Sequence, residues 1–203
     1  PNLKEGYCLD DNARALLMAL MLYQQKKNQE AKDLLPVYLS YIQYMQKEDG
    51  NFGNFLGFDR RQTGEIASDD AFGRTIWALG FLISNPPANS YREFGDEIFH
   101  HSIKHFKTLT SIRGYANTMI GVCYFLRARP GHEEMFKLLS ELTRSLMEAY
   151  KAHRDDNWYW FEDTMTYDNA ILPLALFHSA EITGDDKVKK VAIESLAFLD
   201  KIS

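Results

Sequence analysis

Tyr7-Cys8-Leu9-Asp10-Asp11-Asn12-Ala13-Arg14-Ala15-Leu16 opens a long apolar-striped segment, and its pattern returns three times along the chain. The matching stretches are Ser68-Asp69-Asp70-Ala71-Phe72-Gly73-Arg74, Gly114-Tyr115-Ala116-Asn117 and Thr166-Tyr167-Asp168-Asn169-Ala170. The anchors Asn12, Ala71, Asn117 and Asn169 lie 59, 46 and 52 residues apart. A period near ~50 residues suits two helices of about five turns and two loops, so each repeat reads as one helix hairpin. Four hairpins fit the chain, and the fold class is all-α, a toroid or open arc.

Helical periodicity gives eight expected helices near 10–25, 30–46, 70–84, 91–109, 115–128, 132–152, 169–183 and 186–201. Strand-like alternation is nearly absent. Breaks fall at Asn85-Pro86-Pro87, Arg129-Pro130-Gly131 and Thr183-Gly184-Asp185-Asp186. The first helix of each hairpin is rich in small residues, among them Ala13, Ala71, Gly73, Gly80, Ala116, Gly121 and Ala175, which let axes approach closely. The second carries more charge, as in Glu133-Glu134 and Lys187-Val188-Lys189-Lys190, which suits one solvated face. Odd helices therefore form an inner layer and even helices an outer one. Pro173 makes the start of the fourth inner helix ambiguous.

Composition narrows the function classes. Of 203 residues, 45% are hydrophobic and 25% charged, enough to bury a core, so residues 1–203 read as one domain. The net charge of −5 is spread out, without a basic, aromatic-interleaved cluster for phosphates, and nucleic acid is not an expected partner. No apolar stretch approaches the ~20 residues that span a bilayer, and Pro1-Asn2-Leu3-Lys4-Glu5 does not read as a signal peptide. A soluble, cytoplasmic protein with no membrane partner is expected. Cys8 and Cys123 lie in apolar sequence away from metal-like spacing and read as small hydrophobes. The His101/His105 pair has i, i+4 spacing but no third ligand, and reads as a surface cluster. No phosphate loop, nucleophile elbow or zinc-protease motif is present. No cofactor and no metal are expected.

The long aromatic connections 47–68 and 153–166 both enter inner helices, whose amino ends face the same mouth with unsatisfied N–H groups. Asp10-Asp11, Asp69-Asp70 and Asp168 stand at those ends. One Asp of each pair reads as an N-cap. The second is not needed for capping, and its charge calls for an offset from Arg14 or Arg74, or for a polar ligand. Trp158 and Trp160, beside Asp155, Asp156 and Glu162, read either as a platform for sugar rings or as a plug between helices.

The openings at Tyr7–Leu16 and Ser68–Arg74, with the turn Gln46–Phe52, resemble the α/α-toroid (six-hairpin glycosidase-like) domains, in particular the helical region attached to some bacterial glycosyltransferases. The resemblance covers nearly the whole chain. It implies a carbohydrate ligand at the inner-helix mouth, with Asp10, Asp11, Asp69, Asp70, Trp158, Trp160 and Asp168 lining it. Six hairpins would need about 300 residues, so the chain reads as a fragment of a longer polypeptide whose remainder is a possible partner.

The leading expectation is a carbohydrate-recognising or carbohydrate-processing domain of a glycosyltransferase-related protein. If it hydrolyses glycosides, Asp11 and Asp70 are the first choices for the catalytic pair. Asp10, Asp69, Arg14, Arg74, Trp158, Trp160 and Asp168 then bind substrate. The alternatives are a glycoside hydrolase acting through paired carboxylates, a non-catalytic helical-repeat scaffold that binds protein, and an isoprenoid-handling toroid.

Overall fold

Eight α-helices pair into four hairpins in a computed structural model of the chain, which describes residues 6–202. Pro1–Glu5, read above as no signal peptide, lie outside the described residues. The inner helices are α1 (Leu9–Lys26), α3 (Asp69–Ser84), α5 (Ile112–Ala128) and α7 (Ile171–Thr183). Their outer partners are α2 (Gln29–Met45), α4 (Asn89–Ser102), α6 (Glu133–His153) and α8 (Asp186–Ile202). Among the described residues α1 packs on α3, α3 on α5 and α5 on α7, while α1 and α7 share no packing of that extent. The inner layer is thus an open row of four helices, each backed by its outer partner. None of the described helices is long and apolar enough to cross a membrane.

The closest helix pair is α3 against α5, and glycine makes it possible. A Cβ at Gly80 would stand 2.1 Å from the carbonyl oxygen of Gly121, and one at Gly121 would stand 2.4 Å from that of Ile76. Both meet backbone, which cannot rotate away. Gly73 and Gly114 repeat the arrangement one end further along, against Gly114 and Asp69. Around this seam the core fills with Ile76, Leu79, Ile120 and Phe125, the last stacked on Phe99 of α4 at 5.1 Å between ring centroids.

Two local features depart from the sequence reading, and a third decides a point it left open. A two-stranded antiparallel ribbon pairs β1 (Tyr7–Cys8) with β2 (Phe55–Leu56), so the 47–68 connection folds back on the start of α1. Leu9 N donates to Asn54 O at 2.9 Å across the same junction. The expected 91–109 helix changes winding at Ser102, and Ile103–Thr108 is a 3₁₀ turn. This tighter pitch seats Phe106 in the core and lets His105 Nε2 donate to Asp49 O at 2.7 Å. The fourth inner helix begins at Ile171, which puts Pro173 in the first turn, where its missing N–H breaks no helical bond.

Both cysteines are free. Cys123 is buried, and loss of solvent pushes its thiol up to about 12, as suits a packing residue. At the carboxyl half of the inner row, Arg127 donates to His178 Nδ1 at 2.7 Å and to Glu181 Oε2 at 2.6 Å. Burial, followed by the Arg127 charge, pulls His178 down to about 4.

Two outcomes follow from this packing. Gly121→Ala gains the ~1 kcal/mol helix preference of alanine but forces the seam apart, and overpacking of this kind costs about 1–3 kcal/mol or more. Urea denaturation is expected to show a net loss of about 2 kcal/mol or an unfolded chain. For His178, the unfolded imidazole takes up its proton first as pH falls, so stability drops between the ordinary value of 6.5 and about 4. His178→Asn keeps an acceptor for Arg127 without titrating, and its melting temperature should vary less with pH across that window.

Candidate functional site

The amino ends of all four inner helices meet at one end of the row, joined by side chains of their first turns. Arg74 of α3 donates to Asp10 Oδ1 of α1 at 2.8 Å and to Asp168 Oδ2, three residues before α7, at 2.6 Å. Asp69 Oδ2 accepts from Thr110 N at 2.6 Å, Ser111 N at 2.7 Å and Thr110 Oγ1 at 3.1 Å, which ties α3 to the start of α5. Asp70 accepts from Ser111 Oγ at 2.9 Å and from the Tyr167 hydroxyl. Adjacent aspartates on a helix point about 100° apart, so Asp69 and Asp70 serve different neighbours.

None of these carboxylates is an N-cap. Ser68 Oγ caps α3 by accepting from Ala71 N at 3.2 Å, and the residue preceding α1 is Cys8, whose side chain caps nothing. Asp10, Asp11, Asp69 and Asp70 occupy first turns instead, and Asp168 lies in the connection ahead of α7. In a first turn the positive end of the helix dipole favours a carboxylate while leaving its oxygens free to reach other elements.

The two members of the first pair diverge. Asp10 is 15% exposed and bound by Arg14 and Arg74, whereas Asp11 is 75% exposed, with Arg14 at 3.4 Å. The structure therefore joins Asp10, not Asp11, to Arg74 and Asp168. Burial disfavours the Arg74 charge, but the bonds to Asp168 and Asp10 outweigh it and hold the guanidinium above its ordinary range. Tyr167 is likewise held protonated by its hydrogen bond to Asp70, with burial adding to the shift.

Trp158 and Trp160 stand apart from this network. Trp160 is 0% exposed and packs against Phe161 and Phe198, so its ring offers no surface to a ligand. Trp158 packs edge-on against Phe198 of α8 and donates from Nε1 to Glu162 O at 2.6 Å. Of the two sequence readings, the plug between helices describes the position of Trp160, while Trp158 is partly exposed beside α8.

An open cleft of about 400 Å³ lies beside the network, lined by Ala13, Arg14, Leu17, Met18 and Met21 of α1, Arg74 and Trp77 of α3, and Asp168. Trp77 is partly exposed, yet its Nε1 is buried and without a hydrogen-bond partner. What this side chain shows to the cleft is therefore ring carbon. It sits one turn below Arg74 on the same helix face, a spacing legible in the sequence but passed over for the tryptophans beside acids.

Arg113 is the second residue that sequence reasoning missed. Its side chain is 4% exposed and grips the 154–170 connection through Glu162 Oε1 at 3.0 Å, Glu162 Oε2 at 2.8 Å, Thr166 Oγ1 at 2.6 Å and Tyr167 O at 2.6 Å. The guanidinium also lies 4.4 Å from the Tyr167 ring centroid. A signal was present, since a basic residue in the first turn of a helix opposes the dipole and needs an acid nearby. This grip presents Asp168 to Arg74 with a left-handed backbone, φ +46°, a conformation that aspartate tolerates better than most residues.

Removing Arg113 leaves Glu162 without its cation. Arg113→Met is expected to cost about 3 kcal/mol in denaturant unfolding and to open residues 154–170 to limited proteolysis before the helices unfold. Unchanged protection of that connection would refute its dependence on Arg113. No protein-family model and no curated protein matches the chain.

Proposed function

We propose that the cleft between α1 and α3 recognises carbohydrate, as part of a glycosyltransferase-related protein. The observation that carries this reading is the stacking of chemistries along α3. A tryptophan ring showing carbon lies one turn below an arginine whose bonds position two carboxylates. Sugar rings present the complementary pair of surfaces, an apolar face of C–H groups and a rim of hydroxyls that both donate and accept. Leu17, Met18 and Met21 continue the apolar wall, and Arg14 and Asp168 border it with polar groups. The resemblance of the inner-helix openings to six-hairpin glycosidase-like domains points the same way.

Recognition is favoured over hydrolysis. A glycosidase needs two carboxyl groups free to reach the scissile bond from opposite sides. Here Asp70 is engaged by Ser111 and Tyr167, and Asp10 by Arg14 and Arg74. Asp11 is the freest acid but faces solvent.

Calorimetric titration with neutral oligosaccharides tests the reading. Trp77→Ala removes the ring and Asp168→Asn weakens the tie to Arg74; each is expected to lower affinity at least tenfold, while Trp158→Phe leaves it within about twofold. Wild-type affinity in a folded Trp77→Ala protein would remove the cleft as the binding site.

A further inference from the structure

Four side chains at the mouth form a run that alternates in sign. Asp168 is bound by Arg74, Arg74 also binds Asp10, and Asp10 is bound in turn by Arg14. The run carries no net charge, and its two cations are unlike. Arg74 is 15% exposed and has both terminal nitrogens engaged, one by each carboxylate. Arg14 is 58% exposed and reaches its acids through Nη2 alone, Asp10 closely and Asp11 at 3.4 Å. Among the described residues, Nη1 and Nε of Arg14 have no hydrogen-bond partner. The run therefore ends in a half-used guanidinium, and that guanidinium stands in the wall of the cleft, whose other ionisable lining residues are Arg74 and Asp168. One more carboxylate extends the alternation at this end and displaces no existing partner. A phosphate monoester suits it less, since its charge of about −2 meets Asp11 and Asp168 with one open cation edge to offset them.

The apolar wall sets the shape of whatever carries that carboxylate. Arg14, Leu17, Met18 and Met21 share one face of α1, with Arg14 nearest the amino end. On α3, Trp77 lies one turn beyond Arg74 in the same direction. A ligand anchored at Arg14 thus runs away from the mouth, along the methionines and the carbon face of the Trp77 ring. A uronate residue has this form, a ring with a face of C–H groups and a carboxylate at one end. The cleft of about 400 Å³ falls within the ~300–1,000 Å³ of small-ligand sites. Resting on the carbohydrate reading, we infer that the cleft is a subsite for an acidic saccharide whose uronate carboxylate pairs with Arg14. Asp10, itself held by Arg74, positions the guanidinium, and the solvent-facing Asp11 competes with the ligand for it.

The experiment is calorimetric titration of the intact chain at low ionic strength with matched sets of oligosaccharides. Each neutral oligomer of glucose, galactose or mannose is paired with its uronate and its 6-phosphorylated counterparts. The uronate of the best-bound set is expected to bind at least about tenfold more tightly than its neutral counterpart, an advantage that shrinks with added salt. Arg14→Gln keeps a donor for Asp10 but loses the charge. It is expected to bring the uronate down to the affinity of the neutral oligomer while leaving the neutral oligomer within about twofold of wild type. Asp11→Asn removes the competing carboxylate and is expected to tighten uronate binding about threefold. Equal affinity for uronate and neutral oligomer in the wild type, or a uronate advantage that survives in a folded Arg14→Gln protein, overturns this inference and leaves the carbohydrate reading in place. A phosphorylated oligomer that binds more tightly than the uronate overturns the choice of carboxylate. A folded chain that binds no oligosaccharide in any set overturns the carbohydrate reading, and this inference falls with it.

Discussion

The seam between α3 and α5 is the constraint on which the rest of the molecule depends. Gly80 and Gly121 each occupy the space where the other's helix would otherwise meet a side chain, and Gly73 and Gly114 do the same near the amino ends. Close approach over this length fixes both the separation and the rotation of the two central helices. Once they are set, Asp69 lies within reach of the Thr110 and Ser111 amides, and Asp70 within reach of the Ser111 hydroxyl. The outer pairs α1–α2 and α7–α8 flank this pair on either side, carrying Asp10 and Asp168 toward Arg74.

Electrostatics then finishes what packing begins. Four helix amino ends at one mouth accumulate positive dipole ends, and the aspartates of the first turns answer them. Arg113 runs against that rule and is accommodated because Glu162 supplies both oxygens to it. The result is a chain of polar contacts that passes from α1 through Arg74 to Asp168, and from α3 through Asp70 to Tyr167 and Arg113. The 154–170 connection, 17 residues with little regular structure, holds its shape through this grip and through the aromatic packing of Trp158, Trp160 and Phe161 on α6 and α8. Such a connection on a rigid helical frame is a common carrier of function, and its inner end reaches the cleft.

The two kinds of aromatic residue illustrate how far local sequence context can be trusted. Trp158 and Trp160 stand beside acids along the chain, which made them attractive as a sugar platform, yet the loop turns them toward α8. Trp77 stands among Ile76, Ala78 and Leu79, where a core role is the natural reading, and it is the tryptophan that lines the cleft. Proximity in sequence placed the first pair near charge. The helical spacing from Arg74 placed the second there in space.

The residues by themselves determined the helices, their hairpin period and the division into inner and outer layers, because apolar periodicity and small-residue stripes are local patterns that survive without knowledge of the fold. They also determined that acids gather at the inner-helix starts. Tertiary structure alone decided which acid does what: that Asp10 meets Arg74 while Asp11 faces solvent, that Ser68 rather than an aspartate caps α3, and that Asp168 closes the network. These assignments depend on the rotation of each helix about its axis, and a step of one residue turns a side chain by about 100°. That rotation is set by contacts between segments 41 to 97 residues apart, such as Asp69 with Thr110 and Asp70 with Tyr167, which no local pattern in the chain encodes.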